Sequence, residues 1–328
     1  MNPLVSISVP CYNVAPYLRR CLDSIIAQTV ADWECVCVND GSTDDTGAIL
    51  DEYAAKDPRF KVIHQKNGGV GCARQAALDA AQGKWLAAVD ADDWLDADYL
   101  GALVADGEAS GADMVWSDYL TNRTFKDRGE RSSQEGADDA TVYLLGLLSG
   151  RFWGAMWNKL YSRDFVQRHN LSFLSGRITV CEDTCFAVQF LSKKPKIHYV
   201  SVCGYHYYLR DGSALRSRRS RENFHAVVCV QRVFETLDLP AEAAPIMAWR
   251  RREVMFAGSA CEEVTAQDLR EAFPEVRSLG SDVPVWHRAF YWLSFRGFRW
   301  LVVSILVSVR ALRTLRRKYG ILRRAKRS

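Results

Sequence analysis

Trp85-Leu86-Ala87-Ala88-Val89-Asp90-Ala91-Asp92-Asp93 is the stretch on which the fold turns: five apolar residues that end in a tight run of carboxylates. A short apolar run closed by polar residues is the pattern of a strand buried on both faces, as in a parallel sheet. Upstream, Val5 to Val9, Trp33 to Val38 and Phe60 to His64 read the same way. Helical segments lie between them. Leu18, Cys21, Leu22, Ile25 and Ile26 give one apolar face to a helix predicted over Pro16 to Gln28. Ala73 to Ala81 is rich in alanine, a strong helix former. Ala97 to Ser110 reads as a further helix and Met114 to Ser117 as a strand, while Ser42 or Thr43 is the expected cap of the helix after Asp40-Gly41. This alternation predicts an α/β fold with a mostly parallel, twisted sheet flanked by helices.

Beyond this region the pattern loosens. The charged and small residues from Thr121 to Ala140 predict a surface loop, followed by a helix near Asp139 to Leu148 and an aromatic segment from Trp153 to Tyr161. Asp183 to Leu191 reads as a helix, Lys196 to Tyr208 as strand, and residues 220–280 as a helical extension. With 328 residues, 48% of them apolar, the chain can bury a large core. Its ten cysteines are scattered without a Cys-x-x-Cys, and no histidines complete a zinc set beside Cys35/Cys37 or Cys181/Cys185. They read as buried thiols in a reducing compartment. The first residues lack the basic region, long apolar run and cleavage site of a signal peptide, so the expected location is the cytoplasm.

In an open parallel sheet, ligands bind where the strands end at their carboxyl termini. Four polar loops converge there: Pro10-Cys11-Tyr12-Asn13, Asn39-Asp40-Gly41-Ser42, Asn67-Gly68-Gly69 and Asp90-Ala91-Asp92-Asp93. Each alone also reads as a turn or a cap. Side chains two apart at a strand end share a face, so Asp90 and Asp92 are expected to address one ligand while Asp93 points elsewhere and caps the next helix. Hard carboxylate oxygens suit Mg²⁺ or Mn²⁺, and such an ion allows carboxylates to sit against a diphosphate they would otherwise repel.

In order and spacing, Val5-Ser6-Ile7-Ser8-Val9-Pro10-Cys11-Tyr12-Asn13, Val38-Asn39-Asp40-Gly41-Ser42-Thr43-Asp44, Asn67-Gly68-Gly69 with Ala73-Arg74, and Asp90-Ala91-Asp92-Asp93-Trp94-Leu95 resemble the family-2 glycosyltransferases over roughly residues 4–215. The resemblance implies a GT-A fold and inverting transfer from a nucleotide-diphosphate sugar, of UDP type, to a saccharide or lipid-linked acceptor in cell-surface polysaccharide synthesis. It implies that Pro10, Tyr12 and Asp40 line the nucleoside pocket, with Asn13 in the same binding loop and Asp40 accepting from a uracil-type base. Asn67, Gly69 and Arg74 would close around base and phosphates, Asp90 would meet the ribose or the metal's shell, and Asp92 would bind the metal. Asn39 stands where the family more often carries Asp.

Val180-Cys181-Glu182-Asp183-Thr184-Cys185-Phe186 resembles the family's Glu-Asp motif, which makes Asp183 the general base that takes the acceptor hydroxyl's proton. Carboxylates at a helix start are favoured in any case, and the two roles are compatible. Trp157-Asn158-Lys159-Leu160-Tyr161 and Tyr205-His206-Tyr207-Tyr208-Leu209-Arg210 also resemble family segments. There His206 and Arg210 would reach the diphosphate, although Tyr/His alternation equally suits an ordinary strand. Intact Asp92 and Asp183 argue against a catalytically silent nucleotide-sugar or lipid-binding protein of this fold. Pro10-Cys11-Tyr12-Asn13 is not the glycine-rich basic loop that a sugar nucleotidyltransferase needs.

The net charge of +4 conceals an asymmetry. No acidic residue follows Asp282, whereas residues 285–328 hold twelve Arg and Lys, so the other 31 basic residues against all 39 acidic ones leave residues 1–284 at −8. The run Trp300 to Val309 is short of the about 20 residues that cross a bilayer. On a helical projection Arg288, Arg296, Arg299, Arg310, Arg313, Arg317 and Arg324 share roughly one third of the circumference. With Trp286, Trp292 and Trp300, this predicts a basic amphipathic helix lying on an anionic membrane surface, the inner face of the cell membrane, rather than binding nucleic acid. The Arg-rich run Arg216 to Arg221 reads as a solvated loop or a contact for a phosphorylated lipid. The expected organisation is a GT-A domain over 1–215, a helical extension over 216–284 and the basic tail over 285–328.

Overall fold

The computed structural model describes residues 2–125, 129–132, 138–174, 181–210, 220–259, 261 and 263–273. The basic tail 285–328 and residues 216–219 of the arginine-rich run lie outside them. The chain divides into two compact units, residues 1–216 with 232–247, and residues 217–231 with 248–328.

In the first unit β1 (Val5–Cys11), β2 (Trp33–Asp40), β3 (Phe60–Gln65) and β4 (Trp85–Ala88) alternate with α1 (Ala15–Ile26), α2 (Thr46–Lys56) and α3 (Val70–Ala80). α1 buries Leu18, Cys21, Leu22 and Ile25 in the same core as Val5, Ile7 and Val9. α3 lays Ala73 and Ala77 against Val36 and Val38, where small side chains let helix and sheet approach closely. Each fully buried Leu, Ile or Val contributes about 1.5–3 kcal/mol.

The seven-stranded sheet runs β10-β6-β9-β4-β1-β2-β3. β9 (Lys159–Ser162) is antiparallel and wedged between β4 and β6 (Met114–Ser117), and β10 (Ile197–Val200) pairs parallel with β6. A four-stranded sheet has the order β5-β11-β7-β8, from β5 (Trp94–Leu95), β7 (Tyr119–Asn122), β8 (Glu130–Ser132) and β11 (Tyr205–Tyr208). α4 (Tyr99–Ser110), α5 (Ala140–Ser149), α6 (Arg163–Arg168) and α7 (Glu182–Ser192) complete this unit together with parts of α8 (Arg221–Thr236) and α9 (Ala243–Ser259).

Several local expectations change. The stretch read as a loop from Thr121 onward carries the end of β7 and all of β8, and Lys196 to Tyr208 is split between the two sheets. α3 starts at Val70, three residues before Ala73, because Gly69 turns the chain into the helix at φ 91°. Neither Ser42 nor Thr43 caps α2. Asp45 holds that position, the Ser42 hydroxyl accepts from Asn13 N, and the Asp44 carboxylate accepts from Ala15 N and Thr46 N.

Within the second unit, Phe224, Val228, Met255, Val264, Leu269 and Phe273 share a separate small core, and a Thr265/Asp268 capping box starts α10 (Ala266–Ala272). None of the ten cysteines is disulfide-bonded. Among the described residues no helix is long and apolar enough to cross a membrane.

Candidate active site

Register brings the strand ends level, with Cys11 opposite Asn39, Asp40 opposite Gln65, and Ser8 opposite Ala88. Local bonds then lock the loops together. Asn13 adopts φ 51°, and its side-chain oxygen accepts from Thr43 N at 2.8 Å. Tyr12 beside it is 50% exposed.

Asn39 has a physical reason to be an amide. Its oxygen accepts from Ser42 N at 3.0 Å, and its Nδ2 lies 3.0 Å from His64 Nδ1, while His64 Nε2 lies 2.9 Å from an Asp51 oxygen. With Nε2–H donating to Asp51, Nδ1 needs a donor, which Asp at position 39 lacks when ionised.

Asp40 is buried and its carboxylate already accepts three hydrogen bonds, from Gln65 Nε2 (2.7 Å), Gly68 N (2.9 Å) and Gly69 N (2.9 Å). It braces the Asn67-Gly68-Gly69 turn. A Cβ on Gly41, at φ 72°, would stand 2.7 Å from Asn67 N, so these two loops meet backbone to backbone.

The three aspartates after β4 separate into distinct environments. Asp90 accepts from Arg74 Nη2 at 2.8 Å. The Asp92 carboxylate lies 2.7 Å from Arg210 Nε, an ion pair without hydrogen-bond alignment. Arg20 Nη2 donates to the Asp92 main-chain oxygen at 2.8 Å, its guanidinium flanked by the Trp94 and Phe125 rings at 3.8 and 3.7 Å. Burial and the charge of Asp90 push the Asp92 carboxyl up, against the pull of Arg210.

Asp93 is fully buried and does not cap α4, whose N-cap is Asp98. Its oxygens accept from Tyr205 Oη (2.7 Å) and Tyr208 N (2.8 Å), and Tyr205 Oη accepts in turn from Asp90 N. Asp93 therefore clamps the carboxylate run to β11 in place of the expected cap.

Asp90 and Asp92 suit a divalent cation. Both are partly exposed, both offer hard oxygens, and each raises the need for positive charge near the other. Among the described residues no group of three or more metal-ligating side chains is present.

Glu182 and Asp183 open α7 directly after Cys181, which holds the left-handed φ of 66°. Burial, then the charge of Asp183, pushes Glu182 up to about 7, with Arg74 opposing. Burial also pushes Asp183 up, while Arg74 and Lys159 favour its ionised form, and one Asp183 oxygen accepts from Thr184 N at 2.6 Å. A Cβ on Gly154 would come within 2.7 Å of Thr184 Cα, so the loop after α5 lies hard against this helix start. Lys159 is buried, donates to Ala155 O and Asn158 Oδ1, and is pushed down to about 7 by that burial. Trp157 stacks on Tyr205 and Tyr207 at ring separations of 4.5 and 5.5 Å.

Arg74 joins the two acidic groups. It is only 4% exposed, bonds to Asp90, and places Nε 3.4 Å from Glu182 Oε1, outside hydrogen-bond alignment. Burial works against its charge, but Asp90, Glu182 and Asp183 more than offset this and hold it well above its ordinary range. The expected phosphate ligand is thus a strut between a strand end and a helix start. His206 is likewise engaged: Nδ1 lies 3.1 Å from Asn122 Oδ1, Nε2 lies 3.0 Å from Asp96 Oδ1, and the ring stacks on Trp94 at 4.7 Å. Neither nitrogen is left for a phosphate. Arg20 was not singled out from the sequence, and Tyr205 was quoted only within a family-like segment, since their partners Asp92 and Asp93 lie 72 and 112 positions away.

Comparison with known proteins fits this geometry. The family model described as Glycosyl transferase family 2 matches residues 6–181. The chain is 36% identical over 212 residues to the "Putative glycosyltransferase EpsH" of Bacillus subtilis (strain 168), covering 63% of this chain and 61% of the relative. It is 30% identical over 222 residues to the "Uncharacterized glycosyltransferase YibD" of Escherichia coli (strain K12), covering 66% of this chain and 64% of the relative. The match therefore spans less than two thirds of either relative.

Two solved structures share the fold. They are S. aureus TarS 1-349 in complex with UDP-GlcNAc (TM-score 0.62, 21% identity, 88% of this chain and 78% of that one) and the mannosyltransferase PcManGT from Pyrobaculum calidifontis in complex with GDP-Man and Mn²⁺ (0.55, 16%, 93% and 87%). The mostly parallel sheet with its carboxylates after β4 is of GT-A type. Since the family model covers more than half of the chain, and includes every loop of the sheet edge through Cys181, the chain belongs to glycosyl transferase family 2.

Proposed function

We propose that this chain is a metal-dependent, inverting glycosyltransferase that moves a sugar from a nucleotide-diphosphate donor of UDP type to a saccharide or lipid-linked acceptor in cell-surface polysaccharide synthesis. The observation that carries the reading is Arg74, whose contacts to Asp90 and Glu182 bring the strand-end carboxylates and the Glu182-Asp183 helix start to one place. The UDP-GlcNAc of the TarS structure and the GDP-Man and Mn²⁺ of PcManGT support a nucleotide-sugar donor and a divalent ion.

The exposed Tyr12, with Pro10 and Asn13, and the turn Asn67-Gly68-Gly69 braced by Asp40, hold the nucleoside end. Asp92, with Asp90, would hold Mn²⁺ or Mg²⁺, which when bound neutralises the diphosphate and stabilises it as it leaves. Arg210, already beside Asp92, is placed to turn toward the same phosphates. Asp183 takes the proton of the acceptor hydroxyl as its oxygen attacks the anomeric carbon from the face opposite the nucleotide. Of two neighbouring buried carboxyls only one ionises readily. Burial and the charge of Asp183 favour the protonated form of Glu182, while Arg74 and Lys159 favour ionised Asp183, which leaves that role to Asp183. The tail 285–328 would hold the enzyme against the inner, anionic face of the cell membrane, where a lipid-linked acceptor is found.

The test is a screen of nucleotide sugars for hydrolysis or transfer with Mn²⁺ or Mg²⁺, with and without chelator. Turnover that appears for a UDP-sugar and vanishes with chelator is the expected result. Turnover indifferent to chelator removes the metal, and no turnover of any nucleotide sugar removes the activity.

A further inference from the structure

Behind the candidate site, a cavity lies between the sheet and the helices α3 and α7, lined among others by Ser8, Arg74, Ala77, Met156, Tyr161 and Phe186. Three of these residues place buried polar atoms without a hydrogen-bond partner among the described residues: Ser8 Oγ, Tyr161 Oη, and both Nε and Nη1 of Arg74. Arg74 and Tyr161 are themselves 4% and 1% exposed. Unpaired buried donors are rare, because each forfeits the hydrogen bonds it would make in water. Four such atoms on one cavity call for an occupant.

The chemistry narrows what that occupant is. All four atoms can donate, and two of them belong to the Arg74 guanidinium, whose positive charge excludes a metal cation. Arg74 already faces the carboxylates of Asp90 and Glu182, and the charge of Asp183 acts on both Arg74 and Tyr161, so a second anion would be repelled. The rest of the lining is apolar apart from Ser6, whose hydroxyl already bonds Glu34, Gln82 N and Gly83 N, and it leaves no polar contacts for a larger solute. A small neutral acceptor remains. We propose that this cavity is a resident-water site, in which one or a few waters bridge Arg74 to Tyr161 and Ser8 and so fix Arg74 as the strut between Asp90 and Glu182. Water accepting two hydrogen bonds is nearly as good a partner as a protein group, and buried waters of this kind make about three bonds each. Ser8 and Tyr161 are then positioning residues that act through solvent.

The water site stands apart from the proposed activity, and only its effect on donor binding rests on that reading. High-resolution crystal structures of the full chain and of the Ser8→Val and Tyr161→Phe variants test it, together with calorimetric binding of UDP in the presence of Mn²⁺. The expected result is ordered water bonded to Arg74 Nε or Nη1 in the wild type. Each variant should then lose water and show Arg74 displaced from Asp90 or Glu182, with UDP affinity lowered about threefold to tenfold and a smaller loss of stability than Arg74→Met causes. A dry cavity, or Arg74 N–H groups bonded to protein atoms, overturns the site. Water lost with Arg74 unmoved overturns the strut role. Wild-type protein that holds the water but binds no UDP leaves this inference standing and removes the reading of the donor site.

Discussion

The strand end at Asp90-Ala91-Asp92 and the helix start at Glu182-Asp183 are both pairs of carboxylates, yet their surroundings differ. Asp90 and Asp92 are partly open, and each has a guanidinium within 2.8 Å. Glu182 is 6% exposed, and the Arg74 nitrogen nearest it is 3.4 Å away. A partly open pair with a guanidinium beside each carboxylate can exchange its partners for an incoming ion and phosphate. A buried, under-neutralised pair instead holds a proton close to neutral pH. One motif type thus serves two chemistries because burial and charge balance differ.

Asp183→Asn is expected to break the comparison most sharply. With the base gone, kcat for transfer should fall by about 10²–10⁴ while UDP binding in calorimetry stays within about twofold; retained turnover takes the role from Asp183. Asp92→Ala should act at the other pair, lowering kcat/KM about 10²-fold or more and removing the Mn²⁺ dependence of nucleotide binding. If Mn²⁺ enhances UDP binding as well in this variant as in the wild type, Asp92 is not the ligand.

Arg74→Met should disturb both pairs, leaving Glu182 buried without its cation. Removing one partner of a buried pair costs about 3–5 kcal/mol, and the part-exposure of Asp90 places the expected loss in denaturant unfolding near the lower figure, about 3 kcal/mol. An unchanged unfolding midpoint would show that the strut bears no energy.

The pH dependence separates the pairs further. Asp183 must be ionised to act and its carboxyl is raised, so kcat/KM should fall as pH drops through a value above the ordinary carboxylate range of about 4. Glu182 binds its proton more tightly folded than unfolded, so its contribution to stability is full at low pH. That contribution is lost as pH rises from 4.5 through about 7. Glu182→Gln should flatten that slope, and a slope that persists unchanged would assign it to another group. The smallest effect belongs to His206→Gln, which breaks the contacts to Asn122 and Asp96 and the stack on Trp94. It should lower stability by about 1 kcal/mol and leave UDP affinity unchanged. A tenfold loss of UDP binding would return His206 to the donor site.

How far the sequence reaches follows the distance between partners. The four loops of the sheet edge were legible because each follows its own strand, and parallel register then aligns them. Asp93 read as a cap because caps are local, whereas its true partners, Tyr205 and Tyr208, lie 112 and 115 positions on. The antiparallel wedge of β9 between β4 and β6 was hidden for the same reason: alternating strands and helices fix the hand of each crossover but not which distant strand is inserted.

From the sequence alone came the parallel α/β core, the polar edge, and the carboxylates at positions 90, 92, 182 and 183, because periodicity and strand-end position depend on neighbouring residues. Tertiary structure alone decided that Arg74 faces carboxylates, that His206 is spent on Asn122 and Asp96, and that the Asn39 amide meets His64. Those assignments depend on which buried donor meets which acceptor, and only the folded chain brings residues so far apart in sequence within hydrogen-bonding reach.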